Sequence, residues 1–253
     1  MNVAKDLSLQ LYSLKEQSLK DPEAMLSGIR ALGFGAVETA GDYDWDLEKW
    51  RDQLEMNGLI LSSAHVIMER LEAELPTLAE FNAELGNHHL IVPMPPDGEG
   101  VERYYQCAKR LNDIAMKAQA FGCHVSYHNH HWEFEALPDG QRGIDILLTE
   151  TDPDLVKFQV DTAWALAGGG DVLEFLKTNR ERVRCLHAKE YGIAEKDEPT
   201  MGSGDVPFPT ILEMAVEEGW QLTVEHEPGD HAPEGVRASA SYLQNTLLEM
   251  ETR

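Results

Sequence analysis

The sequence predicts a closed (β/α)8 barrel. Three observations carry that prediction: eight short apolar runs of strand length recur along the 253 residues, they alternate with stretches of helical period, and no linker, charge block or low-complexity tract interrupts them. Eight such units in a chain of about 250 residues suit a closed barrel better than an open sheet. One domain, residues 1–253, is therefore expected.

Taken in order, the first strand falls in LSLQLYSL (7–14) and leads to the helical PEAMLSGIRALGF (22–34). Asp21-Pro22 supplies a start signal for that helix and Gly33 a stop. GAVETAG (35–41) is the second strand, and DLEKWRDQLEMNG (46–58) is a helix that closes at Gly58. LILSSAHV (59–66) precedes ELPTLAEFNAELGN (74–87), and HHLIVPMPP (88–96) precedes VERYYQCAKRLNDIAMKAQAFG (101–122), which ends at Gly122. CHVSYHNH (123–130) is followed by GIDILLTETD (143–152), and VKFQVDTAW (156–164) by DVLEFLKTNRERV (171–183). RVRCLHAKEY (182–191), PTILEMAVEEGW (209–220) and QLTVEHEPG (221–229) complete the alternation.

Composition narrows the function classes. The hydrophobic fraction of 42% supports a sizeable core. The net charge of −24 repels phosphate backbones, and the 21 Lys and Arg form no basic block, so no nucleic-acid partner is expected. No apolar run approaches the roughly 18 residues of a membrane span, and the start lacks a signal-peptide pattern. Cys107, Cys123 and Cys185 show no metal or redox spacing and suit reduced thiols, so a cytoplasmic protein is expected.

Barrel active sites lie at the carboxyl ends of the strands. Those ends carry Gln10, Glu38, His65, His128 with His130, Asp161, His187 with Lys189, and Glu225 with Glu227. A single polar strand end means little, because strand-to-helix turns are polar in general. Seven of eight strands offering ligand-capable side chains to one face point to a site.

With these residues in place, the chain resembles the sugar phosphate isomerase/epimerase superfamily, the xylose isomerase-like TIM barrels, which include ketose 3-epimerases and inosose dehydratases. The resemblance covers nearly the whole chain and rests on YHNHHWEF, VDTAW, LHAKEY, GSGDVPFPTIL and TVEHE in that order. It implies a divalent metal, foremost Mn2+, with Mg2+, Co2+ or Zn2+ as alternatives. Asp161, His187 and Glu225 match the family's ligands, and His128 stands near the strand-five position where the epimerases carry a glutamate. A His-rich motif at that place is shared with the inosose-dehydratase-like members. Two imidazoles and two carboxylates suit such ions independently of the resemblance.

The same resemblance implies roles for neighbours. Glu133 is expected to reach in from its loop as acid or base, with the alternative that it replaces His128 on the metal. Lys189 and Glu225 complete the catalytic set, and Glu38, His65, His130, Trp164 and Glu227 are expected to bind substrate. His130 shares a face with His128 through the strand's period of two. Gly202 and Gly204 match a family loop, but two glycines do not make a phosphate cradle. The expected activity is isomerisation or epimerisation of a keto-sugar through proton loss beside a polarised carbonyl; dehydration of a keto-sugar or inosose is the alternative. The partner is a small sugar or cyclitol, and relatives suggest a homodimer or homotetramer.

Overall fold

The computed structural model describes residues 7–41 and 45–252. Eight parallel strands close on themselves in chain order: β1 (Ser8–Gln10), β2 (Ala36–Ala40), β3 (Ile60–His65), β4 (His89–Val92), β5 (His124–His128), β6 (Val156–Asp161), β7 (Val183–Ala188) and β8 (Gln221–Val224). The predicted barrel is the observed one. Ten α-helices lie among the described residues: α1 (Lys15–Lys20), α2 (Pro22–Ala31), α3 (Leu47–Asn57), α4 (Met68–Glu84), α5 (Gly100–Ala118), α6 (Gly143–Glu150), α7 (Thr162–Ala167), α8 (Val172–Thr178), α9 (Phe208–Glu218) and α10 (Ala232–Glu251).

Local chemistry accounts for most boundaries. Asp21 caps α2 through the Ala24 N–H and Asp46 caps α3 through the Lys49 N–H, each satisfying a donor that the helix leaves free. Gly58 ends α3 with φ of 61°, a left-handed conformation in which a side chain is strained. The core fills the layer between sheet and helices, with Val37, Leu90, Val125 and Leu186 against Leu26, Leu71, Leu111 and Leu212.

Several elements differ from the sequence expectation. α4 begins at Met68 rather than near residue 74, leaving Pro76 in its interior. Its buried stripe of Met68, Leu71, Leu75 and Leu78 outweighs the hydrogen bond that proline removes. The strand expected through Trp164 stops at Asp161, whose carboxylate caps α7 at once. The pattern at 171–183 divides into α8 and a 3-10 turn at Arg180–Arg182. α10 follows β8 as the closing helix, burying Val236, Ala240, Leu243 and Leu247.

The register positions the site. Gln10, Glu38 and Ser63 stand at one level across β1, β2 and β3, and His128 stands beside Gln159 across β5 and β6. Register shifts occur between Val37 and Glu38 on β2 and between Phe158 and Gln159 on β6. Such irregularities re-aim the side chain that follows. Here they precede the two side chains that organise the barrel's polar layer.

Candidate active site

A cavity of about 580 Å3 opens at the carboxyl ends of the strands. Its polar side is made by Gln10, His65, His128, His130, Glu225 and Glu227, with Trp164 beside them. Its opposite wall carries Tyr12, Ile67, Pro93 and Met94. Of the expected substrate contacts, His65, His130, Trp164 and Glu227 line this cavity, whereas Glu38 lies outside its lining.

Glu38 sits below the cavity, fully buried, as the centre of a polar layer. Its carboxylate accepts from Gln10 Nε2 at 2.7 Å, Gln159 Nε2 at 2.8 Å, His187 Nε2 at 2.6 Å and the Ser63 hydroxyl. His65 Nε2 lies 3.1 Å from the same carboxylate. Burial alone would raise the Glu38 pKa, but the His65 and His187 imidazoles outweigh it and hold the group well below the usual range. A buried carboxylate is tolerated because every lone pair is used.

Above this layer, His187 turns its other nitrogen toward Asp161 and Glu225. Nδ1 lies 3.0 Å from Glu225 Oε2 and 3.9 Å from Asp161 Oδ2. Ligand atoms of Asp161, His187 and Glu225 fall within 4.8 Å of one another. Asp161 divides its carboxylate: Oδ1 accepts the Trp164 N–H at 2.7 Å, while buried Oδ2 has no hydrogen-bond partner. His187 Nδ1 is likewise buried without an aligned partner. Unpartnered buried polar atoms are costly, and two of them converging with the Glu225 carboxylate fit a cation held between the three side chains. His128 groups instead with His65 and His187, its Nδ1 3.0 Å from Gln159 Oε1.

Charge follows this geometry. Burial would lower the His187 pKa, but Glu38 and Glu225 push it up to about 10. Burial opposes ionisation of Glu225 as well, yet Lys189 and His187 hold it well below the carboxylate range. Asp161 rises to about 7, chiefly through burial, with Lys189 opposing and Glu225 adding. Lys189 is only 2% exposed, pairs with Glu225 Oε1 at 3.2 Å and with Glu227, and lies 4.5 Å over the Trp164 ring. Burial would strip its proton, but Glu225, Asp161 and Glu227 raise its pKa above the ordinary lysine value.

The opening of the YHNHHWEF segment forms the neighbouring wall. His130 stacks on Trp132 with centroids 4.3 Å apart and planes 11° from parallel, and burial lowers its pKa to about 4. Glu133, expected to reach the cavity from its loop, is instead fully buried and absent from the lining. Its oxygens accept the Tyr127 hydroxyl at 2.7 Å and the His130 N–H at 2.7 Å. Burial lifts the Glu133 carboxyl to about 7 against those two donors.

Gln159, Ser63 and Glu190 were not singled out in the sequence. Strand alternation contained a signal for two of them: Gln159 precedes Asp161 by two residues and Ser63 precedes His65 by two, on the same strand faces. Glu190 is fully buried and accepts the N–H groups of Gly202 at 2.8 Å and Val206 at 3.0 Å. Amides of the glycine loop thus turn to the protein's own carboxylate.

Comparison with known proteins bears on the family and the fold. Residues 26–246 match the family described as xylose isomerase-like TIM barrel. An inosose dehydratase from Geobacillus kaustophilus is 27% identical over 192 residues, covering 66% of this chain and 61% of that protein. Its counterpart from Salmonella agona is 23% identical over 284 residues, covering 92% and 91%. The crystal structure of a sugar phosphate isomerase/epimerase from Parabacteroides distasonis superposes with a TM-score of 0.80 at 28% identity, covering 95% of this chain and 94% of that one. With its closed barrel and the family match spanning most of its length, the chain belongs to the xylose isomerase-like TIM barrel family.

Proposed function

We propose that this protein is a divalent-metal-dependent enzyme that removes the proton next to a carbonyl of a keto-cyclitol or keto-sugar, with loss of the neighbouring hydroxyl as water. It is a sugar-modifying enzyme, and the observation that carries the finer reading is the convergence of Asp161 Oδ2, His187 Nδ1 and Glu225 Oε2 beneath the cavity. These three side chains hold the ion, and His128 offers the fourth position. When bound, the ion polarises a substrate carbonyl and so acidifies the adjacent C–H.

The chain's own groups do the rest. Lys189, kept cationic by its carboxylates, is a fixed positive charge where negative charge develops on a substrate oxygen. Glu227, half exposed at the cavity edge, takes the proton from carbon. Trp164 and the neutral His130 present flat faces to the substrate ring. In dehydration the C–H pair forms the new double bond, the C–O bond to the neighbouring hydroxyl breaks, and that oxygen leaves as water after receiving a proton. The relatives named inosose dehydratase support this outcome. Epimerisation is the second reading, supported by the likeness to the Parabacteroides isomerase/epimerase.

Incubation with Mn2+ and a panel of inososes and ketoses in D2O separates the readings. Dehydration gives a product one water lighter with the hydrogen at the reacting carbon lost to solvent. Epimerisation gives an isomer carrying one deuterium. Turnover with the original hydrogen retained sinks both.

A further inference from the structure

We propose that Gln159 is a positioning residue that selects the ring tautomers of two cavity histidines, so that His128 presents Nε2, and His65 Nδ1, to the substrate side. The polar layer dictates how its amide must lie. Glu38, as a carboxylate, only accepts hydrogen bonds, so the group 2.8 Å from its Oε2 must be the Gln159 NH2. The carbonyl end, Oε1, then faces both imidazoles, at 2.7 Å from His65 Nε2 and 3.0 Å from His128 Nδ1. A carbonyl oxygen has two lone pairs and no hydrogen, so each facing ring nitrogen must carry one.

The consequence is specific for His128. A free neutral imidazole favours hydrogen on Nε2; here the only ring nitrogen within reach of the acceptor is Nδ1, so the less favoured form is imposed. That form leaves the Nε2 lone pair for the cavity, which His128 lines. Glu38 orients His187 by accepting from its Nε2 at 2.6 Å, so that Nδ1 is the nitrogen turned to Asp161 and Glu225. Partners of this kind are what orient imidazoles toward metals. The register shift just before Gln159 is the backbone device that aims its side chain inward.

The use of the free lone pairs rests on the metal reading above; the tautomers themselves do not. The test is therefore made on metal-stripped full-length protein carrying 15N-labelled histidine, with long-range proton–nitrogen correlations assigned through His65→Gln and His128→Gln. The expected wild-type spectrum shows His128 protonated on Nδ1 and His65 on Nε2, and Gln159→Leu moves the His128 hydrogen to Nε2. Gln159→Leu should also weaken Mn2+ binding by about 10- to 100-fold. Wild-type His128 protonated on Nε2 overturns the proposal even if the variant does not fold. An unchanged His128 tautomer in folded Gln159→Leu overturns it equally. Failure of Asp161→Ala to lose metal sinks the metal reading alone.

Discussion

Glu133 and Asp161 show how one carboxylate can be read differently from sequence and from structure. In sequence both are acids that follow predicted strands, Asp161 closing VKFQVD and Glu133 in the loop after YHNH. In the structure Glu133 is sealed between Tyr127 and the His130 backbone, whereas Asp161 keeps one oxygen for a helix cap and leaves the other unpartnered. Glu133→Gln should therefore keep metal and reduce kcat by less than about tenfold, or ~1.4 kcal/mol of barrel-top chemistry, because an amide can still receive the His130 N–H. A larger fall with intact metal content would return Glu133 to the role of proton carrier. The pKa of about 7 adds a pH signature. Raised above its unfolded value of about 4.3, the group contributes stability below that value and loses it as pH rises through about 7. Urea unfolding should show Glu133→Gln gaining on the wild type between pH 5 and 8, by a few kcal/mol at most, since each pKa unit is worth about 1.4 kcal/mol. For Asp161, the asparagine variant keeps a carbonyl for the Trp164 N–H and should lose metal at nearly full stability. Asp161→Ala should lose metal and about 1 kcal/mol more, the worth of a cap. Metal analysis beside unfolding curves separates the two functions.

At the level of elements, the connection from β7 to α9 is held by one buried carboxylate. Glu190 binds the Gly202 and Val206 amides, and a Cβ at Gly204 would come within 2.6 Å of Glu190 Oε1. Gly204→Ala should displace the loop, cost about 1–3 kcal/mol as overpacking does, and raise its cleavage by protease. Wild-type proteolysis and stability in that variant would show the contact to be slack. Alternating strands and helices were legible here because period and capping signals are local. Pro76 inside α4 was not, since a buried stripe from Met68 to Leu78 outweighs proline's penalty only once α4 packs on the barrel.

For the molecule as a whole, the net charge of −24 and the site carboxylates respond differently to ions. Salt screens surface repulsion in every variant alike. A bound ion stabilises only a chain that keeps its ligands, by about 2.7 kcal/mol at a hundredfold excess over Kd. For a chain of this size that is a rise in Tm of roughly 5–10 °C. Calorimetry with Mn2+ should show that rise in the wild type and not in Asp161→Asn, while NaCl shifts both equally. Equal Mn2+ shifts in both would assign the effect to surface charge.

The sequence by itself determined the barrel, because strand length, helical period and helix caps are properties of neighbouring residues. It also determined that Asp161, His187 and Glu225 stand at strand ends, which is a matter of counting along each strand. Only the tertiary structure decided what each polar atom meets. Glu38 lies 149 residues from His187 in the chain, yet receives its Nε2 hydrogen at 2.6 Å. Gln159 bridges Glu38, His65 and His128 from three other strands. Burial and partner choice depend on closure and register, and both arise from pairing across the whole chain, so no local pattern could assign Glu38 to the floor of the site or Glu133 to its supporting wall.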